Sequence, residues 1–92
     1  MKTTLRYALP IFNLNGTNPE SIYDEFSEAL QNLRKSRESL SQCTVHGRDF
    51  QCNPIGDYDK ARDRHYSMLS LLDEAMDYCE AWLERAQEAI DR

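Results

Sequence analysis

Residues 57–92 read DYDKARDRHYSMLSLLDEAMDYCEAWLERAQEAIDR, and the spacing of their small and apolar side chains decides the fold. Ala61, His65, Met68, Leu72, Ala75, Cys79, Trp82, Ala86 and Ala89 recur at intervals of four and three without a break. An α-helix turns once in about 3.6 residues, so this alternation draws one stripe down a long helix. Leu69, Met76, Leu83 and Ile90 add a flanking row at intervals of seven. The row supplies bulk, while the alanines on the stripe allow a facing helix to come close. The pattern predicts a helix over 58–91, capped by Asp57, in coiled-coil-like packing against an antiparallel neighbour. Met68, Met76, Cys79 and Trp82 are read as core residues.

That neighbour starts at Asn18-Pro19-Glu20: a capping side chain, a proline whose missing N–H costs nothing at the first helical position, and an acid at the positive end of the dipole. Ile22, Phe26, Ala29, Leu33, Ser36 and Leu40 again keep helical spacing, with Tyr23 and Leu30 widening the stripe, so a first helix is expected over 18–41. Between the helices lies QCTVHGRDFQCNPIGD, residues 42–57, a long loop punctuated by Gly47, Asn53-Pro54 and Gly56. Structureless connections of this length are uncommon unless they carry function. Residues 1–17 form an extended arm offering Leu5, Tyr7, Leu9, Ile11, Phe12 and Leu14.

The expected architecture is therefore all-α: a single helical-hairpin domain over 1–92, an antiparallel two-helix hairpin with a long second helix and an N-terminal arm. At 1.5 Å per residue the second helix, about 50 Å, outreaches the first by roughly 15 Å. The surplus is expected beside the start of the first helix, where the arm would cover it or clasp a neighbouring subunit. A homo-oligomer is the expected state, because a short chain buries a smaller share of its surface than a long one.

Composition narrows the classes of function. The 92 residues carry a formal charge of −5. Residues 67–92 hold seven acids against two bases, whereas 1–43 and 44–66 are each balanced. A chain without a broad basic face is a poor non-specific ligand for nucleic acid. No apolar run approaches the ~20 residues that span a bilayer, and the first fifteen residues lack the pattern of a secretory leader. Cys43, Cys52 and Cys79 are too few for a disulfide scaffold. A soluble protein of the cytoplasm, away from membranes, is expected.

The strongest candidate site is the loop with its flanks. His46, Gly47, Arg48 and Phe50 come from the loop, and Tyr58, Lys60, Arg62 and Tyr66 from the start of the second helix. Arg48 and Arg62 suit phosphate or carboxylate, Gly47 lets backbone approach a ligand, and the aromatic rings suit a base. With Arg34, Lys35 and Arg37 closing the first helix, they compose an expected basic pole for a compact anionic or nucleotide ligand. The bland alternative is that the basic side chains near the end of the first helix complement its dipole, while Arg48 and Asp49 pair with neighbours in a solvated loop. Cys43, His46, Cys52 and His65 contain the four N/S donors of a zinc site, but their spacing matches no common finger and His65 sits on the apolar stripe. No metal, no cofactor and no catalytic constellation is assigned.

Asn15-Gly16-Thr17, His46-Gly47-Arg48-Asp49-Phe50 and Lys60-Ala61-Arg62 with His65 resemble a group of small phage and prophage proteins, over roughly residues 15–75. In that group a second aromatic commonly follows the first in the loop, where this chain has Gln51. The resemblance implies a phage accessory protein acting inside a bacterial host. In size and helical content the chain is also similar to phage sponges that capture cyclic-nucleotide immune signals, so an anti-defence sponge is the first functional expectation. The second is a protein-protein module, an assembly adaptor or an inhibitor of a host protein, using the helical faces and the arm.

Overall fold

The computed structural model describes residues 7–92, so Leu5 lies outside the described residues. Two long helices, α1 (Pro19–Ser41) and α2 (Asp57–Ile90), flank a single 3-10 turn at Gly47–Phe50, and there is no strand among the described residues. The radius of gyration is 18.6 Å and the longest extent 61 Å, against the ~12 Å radius of a globular chain of this length. The molecule is a rod, with one long dimension and two short ones.

α1 begins as its sequence directs. Asn18 is extended (φ −72°, ψ 153°) and its Oδ1 accepts a hydrogen bond from Ser21 N at 2.7 Å, with Pro19 following. α2 begins differently from expectation. Gly56, at φ 99°, is the cap, while Asp57 is already helical and its Oδ2 accepts from Asn53 Nδ2 at 3.1 Å. The left-handed backbone that reverses the chain into α2 suits glycine, which displaces the capping role by one residue.

The helices run antiparallel, and two contacts set their register. Phe26 stacks on Trp82 with ring centroids 4.6 Å apart, and Arg37 Nε lies 2.9 Å from Asp73 Oδ1. Eleven residues forward on α1 therefore correspond to nine backward on α2. Carried to its ends, this register sets Pro19 level with Glu88–Ala89, and Ser41 level with Leu69–Ser70. The surplus of α2 thus lies at the loop end, not beside the start of α1 as its length alone suggested. Asp57 to Ser67 project past α1, and the connection runs back along them: Phe50 rests against Tyr58, ring centroids 6.0 Å apart.

The interface buries few side chains fully. Among the described residues the buried apolar groups are Leu30, Leu69, Cys79, Ala81 and Ala86. Met68, Leu72, Met76, Trp82 and Leu83 are partly buried. On α1 the seam passes through Phe26, Leu30, Leu33, Arg37 and Leu40, while Ala29 and Ser36 are exposed. The spacing placed Ala29 and Ser36 on the stripe; the structure rotates α1 so that Leu30, formerly its margin, takes the centre. Leucine fills the gap between two helices better than alanine or serine, and burial favours that rotation.

The arm supplies a third layer. Asn13 turns the chain toward α1, its Oδ1 accepting from Asn15 N at 2.9 Å. Residues 7–10 then lie along α2: Arg85 Nη1 donates to Pro10 O at 2.8 Å, and Tyr7 meets Tyr78 edge-on at 5.2 Å. Ala81 sits between Tyr78 and Arg85 on the same face and is fully closed off (0% exposed). A methyl group there gives the arm room to lie close, so the arm covers its own helix.

Candidate functional site

The expected site gathers only in part. His46 is exposed and precedes the 3-10 turn without a capping hydrogen bond. Gly47 lies against the Tyr58 ring, which a Cβ at Gly47 would meet at an ordinary 3.8 Å, and its φ is not positive. Phe50 and Tyr58 pack on each other, and the Arg62 guanidinium sits 5.6 Å from the Tyr58 centroid. Gly47, Phe50, Tyr58 and Arg62 thus form a small cluster that clamps the connection to α2. Tyr66 stands apart, two helical turns or roughly 12 Å along α2 from Tyr58, with its ring 6.5 Å from His65. Arg48 and Lys60 are exposed.

Arg62 is committed within the chain. It lies 3.4 Å from Asp59 and 3.3 Å from Asp63, and the hydrogen bond to Asp63, with both carboxylates nearby, pushes its pKa up. Arg37 is likewise held by Asp73, whose hydrogen bond raises its pKa. The expected basic pole is also drawn out in space. Arg34 is level with Met76, with which it lines a shallow cleft, and Lys60 lies sixteen residues before Met76 on α2, roughly 24 Å along the axis. Arg34 and Lys35 therefore do not join Arg48 and Lys60 around one compact anion. The cause is the register: the connection climbs along α2 instead of closing tightly over the end of α1. Nor do Cys43, His46, Cys52 and His65 converge. Among the described residues no three His, Cys, Asp or Glu side chains are grouped to hold a metal ion.

The opposite end has the more developed surface. A cleft of about 610 Å³ opens there between the arm, the first residues of α1 and the last turns of α2. Pro10, Phe12, Leu14, Pro19 and Ala89 line it, with Arg85 and Glu88 on its wall. Arg85 is occupied by Pro10 O and by Glu88, 3.6 Å away, so the arm is tied down on one side while Ile11 (86% exposed) and Leu14 (103%) stand bare. A smaller recess of about 220 Å³ adjoins it beside Ile22 and Trp82. The Trp82 indole N–H is buried and has no acceptor among the described residues.

No family model, curated protein or solved structure matches this chain.

Antiparallel pairing also redistributes charge. It brings Glu20, Asp24, Glu25 and Glu28 of α1 beside Asp77, Glu80, Glu84, Glu88 and Asp91 of α2, with Arg85 and Arg92 as the cations of that half among the described residues. Among the described residues, nine acids against two bases make the cleft-bearing half strongly negative. In the sequence the acidic excess is concentrated in the last stretch, because residues 1–43 sum to zero once the acidic start of α1 is averaged with its basic end and with Lys2 and Arg6. One signal for this surface was present: Leu71, Tyr78 and Arg85 recur every seven residues outside the main stripe. That is a second face on α2, and such a face implies a third layer. No described helix is long and apolar enough to cross a membrane.

Proposed function

We propose that this protein is a non-enzymatic interaction module whose working end is the acidic, cleft-bearing half. It receives an apolar segment of a partner protein, flanked by Lys or Arg. The observation that carries this reading is the cleft of about 610 Å³ with Ile11 and Leu14 bare at its edge. Apolar groups around a concavity gain by excluding water, and the surrounding carboxylates favour a cationic flank and speed encounter. In the setting implied by the resemblance to phage proteins, the partner is a host or phage protein, and the module is an assembly adaptor or an inhibitor.

The test is capture of partner from host lysate by wild type, by Ile11→Asp with Leu14→Asp, and by Arg48→Ala with Arg62→Ala. Loss of capture in the first variant and retention in the second supports the cleft. The reverse result transfers the function to the loop end.

One observation favours that second reading. The Arg48 side chain makes no ion pair or hydrogen bond among the described residues, and it shares its turn with Phe50, whose ring packs on Tyr58. A sponge for a small anionic or nucleotide ligand would use these groups. Thermal shift against cyclic and linear nucleotides at fixed salt tests it, since a ligand that binds only the folded state raises the melting temperature.

A further inference from the structure

The arm covers one half of a face that continues bare along the other half. Tyr78 and Arg85 of α2 lie under residues 7–10, and seven residues before Tyr78 on the same line is Leu71, 56% exposed. On α1 the arm lies near Ile22, and the residues seven and fourteen further on, Ala29 and Ser36, are both small and exposed. Residues seven apart stay on one helical face to within about 20°. The hairpin therefore carries a groove with a ridge of arm in its acidic half and a low, small-residue floor in its loop half.

We propose that a second copy of this chain packs antiparallel on this face, so that the arm of each copy lies in the empty half-groove of the other. Three observations favour a second copy. The shape is self-complementary, because a two-fold axis near Glu74 exchanges the ridge half of α2 with the bare half. The charge is complementary only in the antiparallel sense: residues 29–72 hold seven Lys or Arg against five acids, and this half meets the half that has nine acids and two bases among the described residues. A parallel pair sets the two strongly acidic halves side by side, which costs association free energy at low salt. The area is also sufficient. The chain exposes 6950 Å², where a compact monomer of its mass exposes about 5,500 Å². The surplus, about 1,400 Å² per copy, is spread over the whole rod and exceeds the ~800 Å² per partner of a standard interface.

This pairing does not depend on the cleft receiving a foreign segment. The cleft opens at the tip of the hairpin, so an antiparallel dimer carries one at each end.

The axis near Glu74 makes cross-linking diagnostic. In a full-length chain with Cys43→Ser and Cys52→Ser, Glu74→Cys should form a disulfide-linked dimer under mild oxidation. Ser67→Cys should not, because antiparallel copies place the two thiols roughly 22 Å apart. Sedimentation equilibrium of the wild type should show a dimer that added salt weakens, and Leu71→Glu should lower the association constant by at least a hundredfold. The proposal is overturned by a monomeric wild type, by cross-linking through Ser67→Cys, or by a Leu71→Glu dimer of undiminished strength. Lysate capture that survives Leu71→Glu leaves the cleft reading intact, and its loss in the Ile11 and Leu14 variant leaves the dimer intact, so the two fail separately.

Discussion

Ala81→Leu separates the hold of the arm from that of the hairpin. Ala81 has no exposed surface and lies between Tyr78 and Arg85, two α2 residues that touch the arm. Leucine adds three carbons where there is no space, and forcing extra methylenes into a closed site costs about 1–3 kcal/mol. The arm is held by contacts of the same size. The Tyr7–Tyr78 edge pair contributes ~0.5–1.5 kcal/mol beyond its burial. The charge-assisted bond from Arg85 to Pro10 O falls at the low end of ~1.5–3 kcal/mol, because that side chain is 33% exposed. Ordering the arm backbone opposes both. Lifting the arm is thus the cheaper response, and the helix pair stays intact.

Trp82, the single tryptophan, adjoins the recess under the arm and reports the event by fluorescence. The variant should show a red-shifted emission and new chymotryptic cleavage at Tyr7 and Phe12, with helical circular dichroism unchanged. Ala86→Leu is the control. Ala86 is equally closed, but by register it faces the Ile22–Tyr23 turn of α1, so its overpacking strains the hairpin. Its melting temperature should fall by roughly 4–8 °C per kcal/mol. An Ala81→Leu protein whose arm stays protected while its helices melt early refutes the reasoning, since something other than the arm would then close Ala81.

Three further outcomes are expected. Gly56→Ala should destabilise by about 1 kcal/mol or more, since φ 99° strains any side chain, whereas Gly47→Ala should stay within about 0.5 kcal/mol of wild type; urea melts of both decide whether Gly47 is needed as a hinge. Phe26→Ala removes the ring stacked on Trp82 and meeting Tyr78 at 6.0 Å; a loss of ~2–4 kcal/mol, a large part of a small domain's stability, should appear as a lower urea midpoint. Burial, then the Glu80 charge, raises the Cys79 pKa above its ordinary 9.0. Thiolate reagents should therefore label exposed Cys43 and Cys52 rapidly and Cys79 only on unfolding. A group whose folded pKa is raised adds stability below its unfolded pKa, so that contribution should fade as pH rises past about 9; a Cys79→Ala protein losing stability equally over that range would show that other groups cause the loss.

Both helices were legible in the sequence because their information is local. The unbroken four-three spacing from Ala61 to Ala89 and the Asn18-Pro19 start act within a few residues, and the observed α1 and α2 begin and end within one residue of the ranges those signals marked. The loop was legible as a break, though Gly56 rather than Asp57 takes the capping position, since a positive φ has no signature beyond glycine itself.

What the tertiary structure alone decided was relative placement. Periodicity identifies a face without saying how far one helix slides past the other, so the surplus of α2 was assigned to the wrong end until Phe26–Trp82 and Arg37–Asp73 set the register. That slide separated Arg34 and Lys35 from Lys60. It also joined the acidic start of α1 to the acidic end of α2. A sequence states which charges exist, but their field depends on distance, and distance is created when the chain folds back on itself.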